Sequence, residues 1–220
     1  MPIHDGTRYT AVIADDHALI RAGISAALAR PGLIEADGIE IVAEACNGLQ
    51  TIERVKAHRP DLLILDISMP MASGAEILTD VRRWSPQTKI VVMTAVTSPG
   101  LLAGLVEAGV DGLFAKAADN EEFFSRLPLI LRGARYVAEP LAALLRDAAP
   151  APALTDRERQ TLNMIIAGRS NREIAAGLGI SIKTVDKHRT SLMQKLDVSS
   201  VAQLVARALK EGLIDPAKEL

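Results

Sequence analysis

The chain has 220 residues, 49% of them apolar, 24% charged and only 3% aromatic, a length and balance that suit one large or two modest globular domains. No apolar run approaches the roughly 18 residues needed to cross a bilayer, and the opening MPIHDGTRYT lacks the apolar core of a secretory signal. A lone cysteine, Cys46, excludes an intramolecular disulfide framework and fits a reducing cytoplasm. The net charge of −2 hides an asymmetry. Residues 1–153 carry 14 Lys and Arg against 19 Asp and Glu, whereas residues 154–220 carry 11 against 8. An acidic front and a basic back point to different partners for each.

In chain order, short β-branched or apolar runs fall at 10–14 (TAVIA), 39–45, 61–65 (DLLIL), 89–94 (KIVVMT) and 111–115. Helix-period segments at about 17–30, 47–58, 74–84, 99–108 and 119–132 separate them. Five strands alternating with five helices predict an α/β domain with a parallel sheet and right-handed crossovers. The third and fourth runs are almost wholly apolar, as strands covered on both faces are. A short helix is expected near 138–147, and AAPAPA at 148–153 reads as an extended, semi-rigid linker.

The back half is all helix. Ser or Thr followed three residues later by Glu or Gln marks helix starts at Thr155, Ser170 and Ser200, and Ser181 is a fourth cap. Gly168, Gly179 and Gly212 mark the stops. Helices are predicted near 156–167, 171–178, 182–196 and 201–211.

In a doubly wound sheet, ligands bind beyond the carboxyl ends of the strands. Those ends carry Asp15 and Asp16 after the first strand, Asp66 after the third, Thr94 on the fourth and Lys116 after the fifth. Each residue alone has an ordinary reading as a cap, a turn or a solvated charge. Three converging carboxylates would repel one another, and one lysine cannot neutralise them, so a hard divalent cation such as Mg²⁺ is expected. A carboxylate beside Mg²⁺ and a lysine is a competent nucleophile toward phosphorus.

ADDH at 14–17, LDISMP at 65–70, TA at 94–95 and the lysine of FAKA resemble the receiver domain of two-component response regulators. The resemblance implies a flavodoxin-like sheet of five parallel strands in the order 2-1-3-4-5. It implies Asp66 as phosphoacceptor and Mg²⁺ held by Asp15, Asp16, Asp66 and the backbone carbonyl of Ser68. Thr94 becomes the switch hydroxyl and Lys116 the phosphoryl-pairing amine. Leu113 stands where the family often places a switch aromatic, which would weaken that coupling or reroute it through Phe114. Haloacid-dehalogenase-like phosphatases use similar residues but place a second Asp two positions after the nucleophile. Here that position is Ser68, so a signalling switch rather than an enzyme is expected.

In the back half, EIAAGLGISIKTVDKHRTSL has the layout of a helix-turn-helix. Ile182, Val185, Leu192 and Leu196 form an apolar stripe on its second helix. Lys183, Lys187, Thr190 and Gln194 lie opposite, spaced for a major groove, with Thr184, His188, Arg189 and Lys195 toward the phosphates. By itself that charged face is equally the solvated side of a packing helix, and Asp186 sits awkwardly within it unless it accepts from cytosine N4. LTDRE, GRSNREIAAGLGIS, KTVDKH and KLDV, with Gln203, Leu204 and EGLI, resemble the LuxR-type DNA-binding domain. Receiver plus this tail resembles the NarL/FixJ class.

That resemblance implies a cytoplasmic transcriptional regulator phosphorylated by a sensor histidine kinase, bound to a double-stranded DNA operator as a homodimer. The expected divisions are a tail at 1–9, a receiver at 10–133, a linker at 134–153 and the DNA-binding domain at 154–216. The last helix repeats apolar residues at Val201, Leu204, Val205, Ala208 and Leu209. They serve either its own core or, as the resemblance implies, a two-fold dimer contact through Val201, Leu204, Val205 and Ala208.

Overall fold

The computed structural model describes residues 8–72, 74–117, 120–146, 154–210 and 213. Most of the N-terminal tail, the AAPAPA stretch, Gly212 and most of EGLI lie outside them. The chain forms two compact units. The first contains the strands β1 (Thr10–Ala14), β2 (Glu40–Ala45), β3 (Leu62–Leu65), β4 (Lys89–Thr94), β5 (Gly112–Ala115) and β6 (Tyr136–Val137). They pair in parallel in the order 2-1-3-4-5-6. The helices of this part of the chain are α1 (Ala18–Ala29), α2 (Gly48–His58), α3 (Gly74–Trp84), α4 (Pro99–Glu107), α5 (Asn120–Leu131) and α6 (Glu139–Arg146).

The apolar runs become strands because every residue of β3 is buried, which only a sheet covered on both faces achieves. One face packs Ile13, Ile64, Val91, Met93 and Phe114 against Ile24 and Leu28 of α1 and Phe123, Leu127 and Ile130 of α5. Strand residues of opposite parity, such as Val12, Leu63, Val92 and Leu113, are buried too.

The sixth strand departs from the expected five. Tyr136 donates its backbone N–H to the Asp111 carbonyl and Ala138 to the Leu113 carbonyl, at 3.0 and 2.9 Å. Two residues are too few to show an alternating pattern, so periodicity cannot reveal such a strand. The expected linker at 134–153 is corrected with it. Its first half belongs to the α/β unit, where Ala138 and Leu141 are buried.

The second unit holds α7 (Asp156–Ile166), α8 (Asn171–Leu178), α9 (Ile182–Lys195) and α10 (Val201–Lys210). The capping boxes form at Thr155–Glu158 and Ser170–Glu173, and Ser181 accepts from the Thr184 N–H. At the third expected box the Gln203 carboxamide accepts from Ser199 rather than Ser200, although Ser200 still caps the Gln203 N–H. Gly179 closes α8 at φ +65°, a left-handed conformation open to glycine at little cost, and so sets the turn into α9. The core joins Leu162, Ile165, Ile174, Val185, Leu192 and Leu196. Two further members, Leu204 and Ala208, come from α10 and are almost fully buried. The apolar repeat of α10 therefore divides. Leu204 and Ala208 serve the unit's own core, while Val201 stays exposed and Val205 half-buried.

Candidate functional site

The carboxyl ends of β1, β3, β4 and β5 bring Asp15, Asp66, Thr94 and Lys116 together from positions up to 101 residues apart. Parallel register does this without any local motif. Asp66 donates its N–H to the Ala14 carbonyl, and Lys116 donates its own to the Thr94 carbonyl, each at 2.8 Å. Asp15, Asp66 and Thr94 are almost completely buried, while Asp16 is exposed.

Buried carboxylates need partners. The Lys116 ammonium supplies one for both, 2.7 Å from Asp15 Oδ2 and 2.7 Å from Asp66 Oδ2. Burial pulls the Lys116 pKa down, but hydrogen bonds to the two carboxylates outweigh it and the net shift is upward. Asp66 Oδ1 accepts from the Ser68 N–H at 3.0 Å, and Asp15 Oδ1 from the His17 N–H at 2.8 Å. Thr94 Oγ1 accepts from the Val96 N–H at 2.9 Å.

The loop that carries Ser68 is seated on α2. Gly48 donates its N–H to the Pro70 carbonyl, and any Cβ there would lie 2.5 Å from Ala72 Cβ. A larger residue at 48 would push the loop off.

Asp15, Asp16, His17 and Asp66 present ligand atoms within 4.8 Å of one another. Hard carboxylate oxygens dominate that set, so the residues present fit a divalent cation of the Mg²⁺ type. His17 was not singled out from sequence. Its Nδ1 lies 2.6 Å from Asp16 Oδ1, and its position directly after an acidic pair was the available signal.

Leu113 is buried at the expected aromatic position and shares a sheet face with Thr94, since Val92 pairs with Leu113 and Thr94 with Ala115. Phe114 does not replace it. Its ring lies on the opposite face against Phe123 and Tyr136, 5.2 and 5.5 Å between centroids. The expected rerouting through Phe114 would have to cross the sheet.

In the helical unit, Lys183, Lys187, Thr190 and Gln194 are exposed on one side of α9, and Thr184, His188 and Arg189 are half-buried beside them. One expectation is corrected. Ile182 is exposed rather than part of the apolar stripe. Lys195 is exposed, and its ammonium binds the buried Glu158 at 2.7 Å. Glu158 is buried on α7 and accepts also from Ser191 Oγ at 2.7 Å and from Thr155. Burial raises its pKa, but the hydrogen bonds from Lys195, Ser191 and Thr155 prevail and lower it to about 2. Sequence spacing cannot pair residues 37 positions apart, so this ion pair was not foreseen.

The model of the response regulator receiver domain family matches residues 11–128, and that of the luxR family of bacterial regulatory proteins matches residues 152–208. The chain belongs to the response regulators. It is a two-component regulator that couples a receiver to a LuxR-type DNA-binding domain. It is 35% identical over 218 residues to the oxygen regulatory protein NreC of Staphylococcus carnosus, covering 93% of this chain and 98% of that one. NreC of Staphylococcus haemolyticus is 34% identical over the same shares. The fold is similar to that of RcsB from Salmonella enterica serovar Typhimurium, bound to promoter P1flhDC in the presence of phosphomimetic BeF3⁻. The TM-score is 0.67 at 25% identity, covering 93% of this chain and 99% of that one. A structure of two RcsB dimers bound to two parallel DNAs matches over the same shares, with TM-score 0.63 at 26% identity. Among the described residues no helix is long and apolar enough to cross a membrane.

Proposed function

We propose that Asp66 is the phosphoacceptor of this regulator and that its phosphorylation by a sensor histidine kinase controls DNA binding in the cytoplasm. The observation that carries this reading is the Lys116 ammonium shared between buried Asp15 and Asp66. A carboxylate oxygen of Asp66 attacks phosphorus, an O–P bond forms, and the P–N bond to the donor histidine breaks. Lys116 follows the new negative charge onto the phosphoryl oxygens, and the Thr94 hydroxyl donates to one of them. Asp15, Asp16, Asp66 and the Ser68 carbonyl would hold Mg²⁺. When bound, the ion offsets charge on the transferring group.

The chain is a switch rather than a turnover catalyst. Ser68 offers no carboxylate where a phosphatase needs a general acid and base, and its amide is engaged by Asp66. In the helical unit, α9 enters the major groove with Lys183, Lys187, Thr190 and Gln194. Thr184, His188 and Arg189 contact phosphates. Val201 and Val205 meet their counterparts in a homodimer on DNA, while Leu204 and Ala208 support that contact from within. We place the divisions at a receiver reaching to about residue 143, which takes in β6, and a DNA-binding domain from 154.

Titration with beryllofluoride and Mg²⁺ tests the reading. The wild type is expected to bind the phosphoryl mimic and gain DNA affinity, and Asp66→Asn to do neither. Equal binding by Asp66→Asn would overturn phosphorylation control.

A further inference from the structure

Asp186 is the one carboxylate on the exposed stripe of α9. Lys183, Asp186, Lys187, Thr190 and Gln194 recur at i, i+3, i+4, i+7 and i+11, and all five are exposed. Lysine, threonine and glutamine can donate to bases or phosphates, whereas a carboxylate can only accept. Beside phosphates it is repelled, so it costs affinity everywhere except where a base presents a donor.

The carboxylate is also held in place. Arg189 Nη1 donates to Asn171 Oδ1 at 3.0 Å, which turns the Asn171 amide nitrogen toward Asp186, and that nitrogen donates to Asp186 Oδ1. Asn171 opens α8, so the relay runs from the second helix of the motif to the first and back. One carboxylate oxygen is occupied. The hydrogen bonds described for Asp186 leave the other for an outside donor.

We propose that Asp186, positioned by Asn171, reads cytosine in the major groove and sets this regulator's specificity at that base pair. The major groove offers two base donors, cytosine N4 and adenine N6. Adenine places its N7 acceptor beside N6, and N7 repels a carboxylate. Cytosine places only a C–H beside N4. Guanine and thymine present acceptors to a protein acceptor and are rejected. The charge that weakens binding to DNA in general therefore becomes discrimination, through loss on the wrong sequences. Asn171 acts as a positioning residue. The proposal rests on α9 being the groove helix.

The test is selection from a randomised duplex pool with the full chain in Mg²⁺ and beryllofluoride, followed by anisotropy on the selected site at one fixed salt concentration. The wild type is expected to select cytosine at one position in each half-site and to lose roughly fivefold or more when it becomes thymine. Asp186→Ala should bind both versions equally, and Asn171→Ala should narrow the difference between them. Circular dichroism should give Asp186→Ala the melting temperature of the wild type, because the residue is exposed.

Selection of the same cytosine by Asp186→Ala would overturn the proposal. So would an equal gain in affinity on every sequence, which marks Asp186 as a repulsive surface charge alone. Lys183→Ala and Lys187→Ala separate the two levels. If they weaken binding while Asp186→Ala discriminates as the wild type does, the Asp186 assignment alone fails. If neither weakens binding, α9 is not the groove helix and both fall.

Discussion

Lys116 resolves a conflict that two buried carboxylates create. Without it, Asp15 and Asp66 repel each other in a region of low dielectric. Lys116→Met is expected to lower stability by about 2 kcal/mol or more in EDTA, measured by urea unfolding. Asp66→Asn, which removes one of the repelling charges, should leave stability unchanged or raise it under the same conditions. The raised Lys116 pKa sets the alkaline side of the profile. Its contribution is fully present below the ordinary lysine value of 10.5 and is lost as pH rises through the higher folded value. Glu158 sets the acid side with the opposite sign. Its pKa falls from 4.5 to about 2 on folding, so its contribution is complete above about 4.5 and disappears as pH falls toward 2. Comparing urea midpoints at pH 5 and pH 3, Glu158→Gln should show a smaller acid loss than the wild type. Lys195→Met should destabilise the helical unit at pH 7 while leaving beryllofluoride binding to the α/β unit intact.

At the scale of elements, α10 gives the clearest separation of packing from assembly. Leu204 fills the core, so Leu204→Ala is expected to cost about 2–5 kcal/mol. Val205 is half-buried, and Val205→Asp should leave the melting temperature close to that of the wild type. It should nevertheless weaken operator binding and flatten its dependence on protein concentration in a gel-shift titration. A wild-type binding curve for Val205→Asp would remove α10 as the dimer contact. The apolar repeat at 201, 204, 205 and 208 announces an amphipathic helix but cannot say how much of the stripe its own domain covers. The same holds for β5. Its apolar run was plain in the sequence, yet the two residues of β6 that pair along its edge carried no pattern to read.

For the whole molecule, ligand linkage provides the integrating measurement. A ligand that binds only the folded receiver at a hundredfold excess over its Kd stabilises it by about 2.7 kcal/mol. Mg²⁺ with beryllofluoride should therefore raise the receiver's melting temperature by several degrees in the wild type and leave Asp66→Asn unmoved. Moving a two-state regulator from mostly off to mostly on takes roughly 5 kcal/mol of differential stabilisation. DNA affinity with and without the mimic, measured on one duplex, reports how much of that reaches the helical unit.

The order and kind of the elements, the acidic strand ends and the helix caps were legible in the sequence because each is a local property. Apolar runs, capping residues and glycines act on neighbours a few positions away, and β1, α8 and the Thr155 and Ser170 boxes stand where such rules put them. Tertiary structure alone decided the partners. It pairs the Lys195 ammonium with Glu158, directs Phe114 away from Thr94 and ties Asp186 to Asn171. The physical reason is range. A charged side chain takes the partner that packing brings within 3 Å, and sequence spacing carries no information about which of many distant residues that will be.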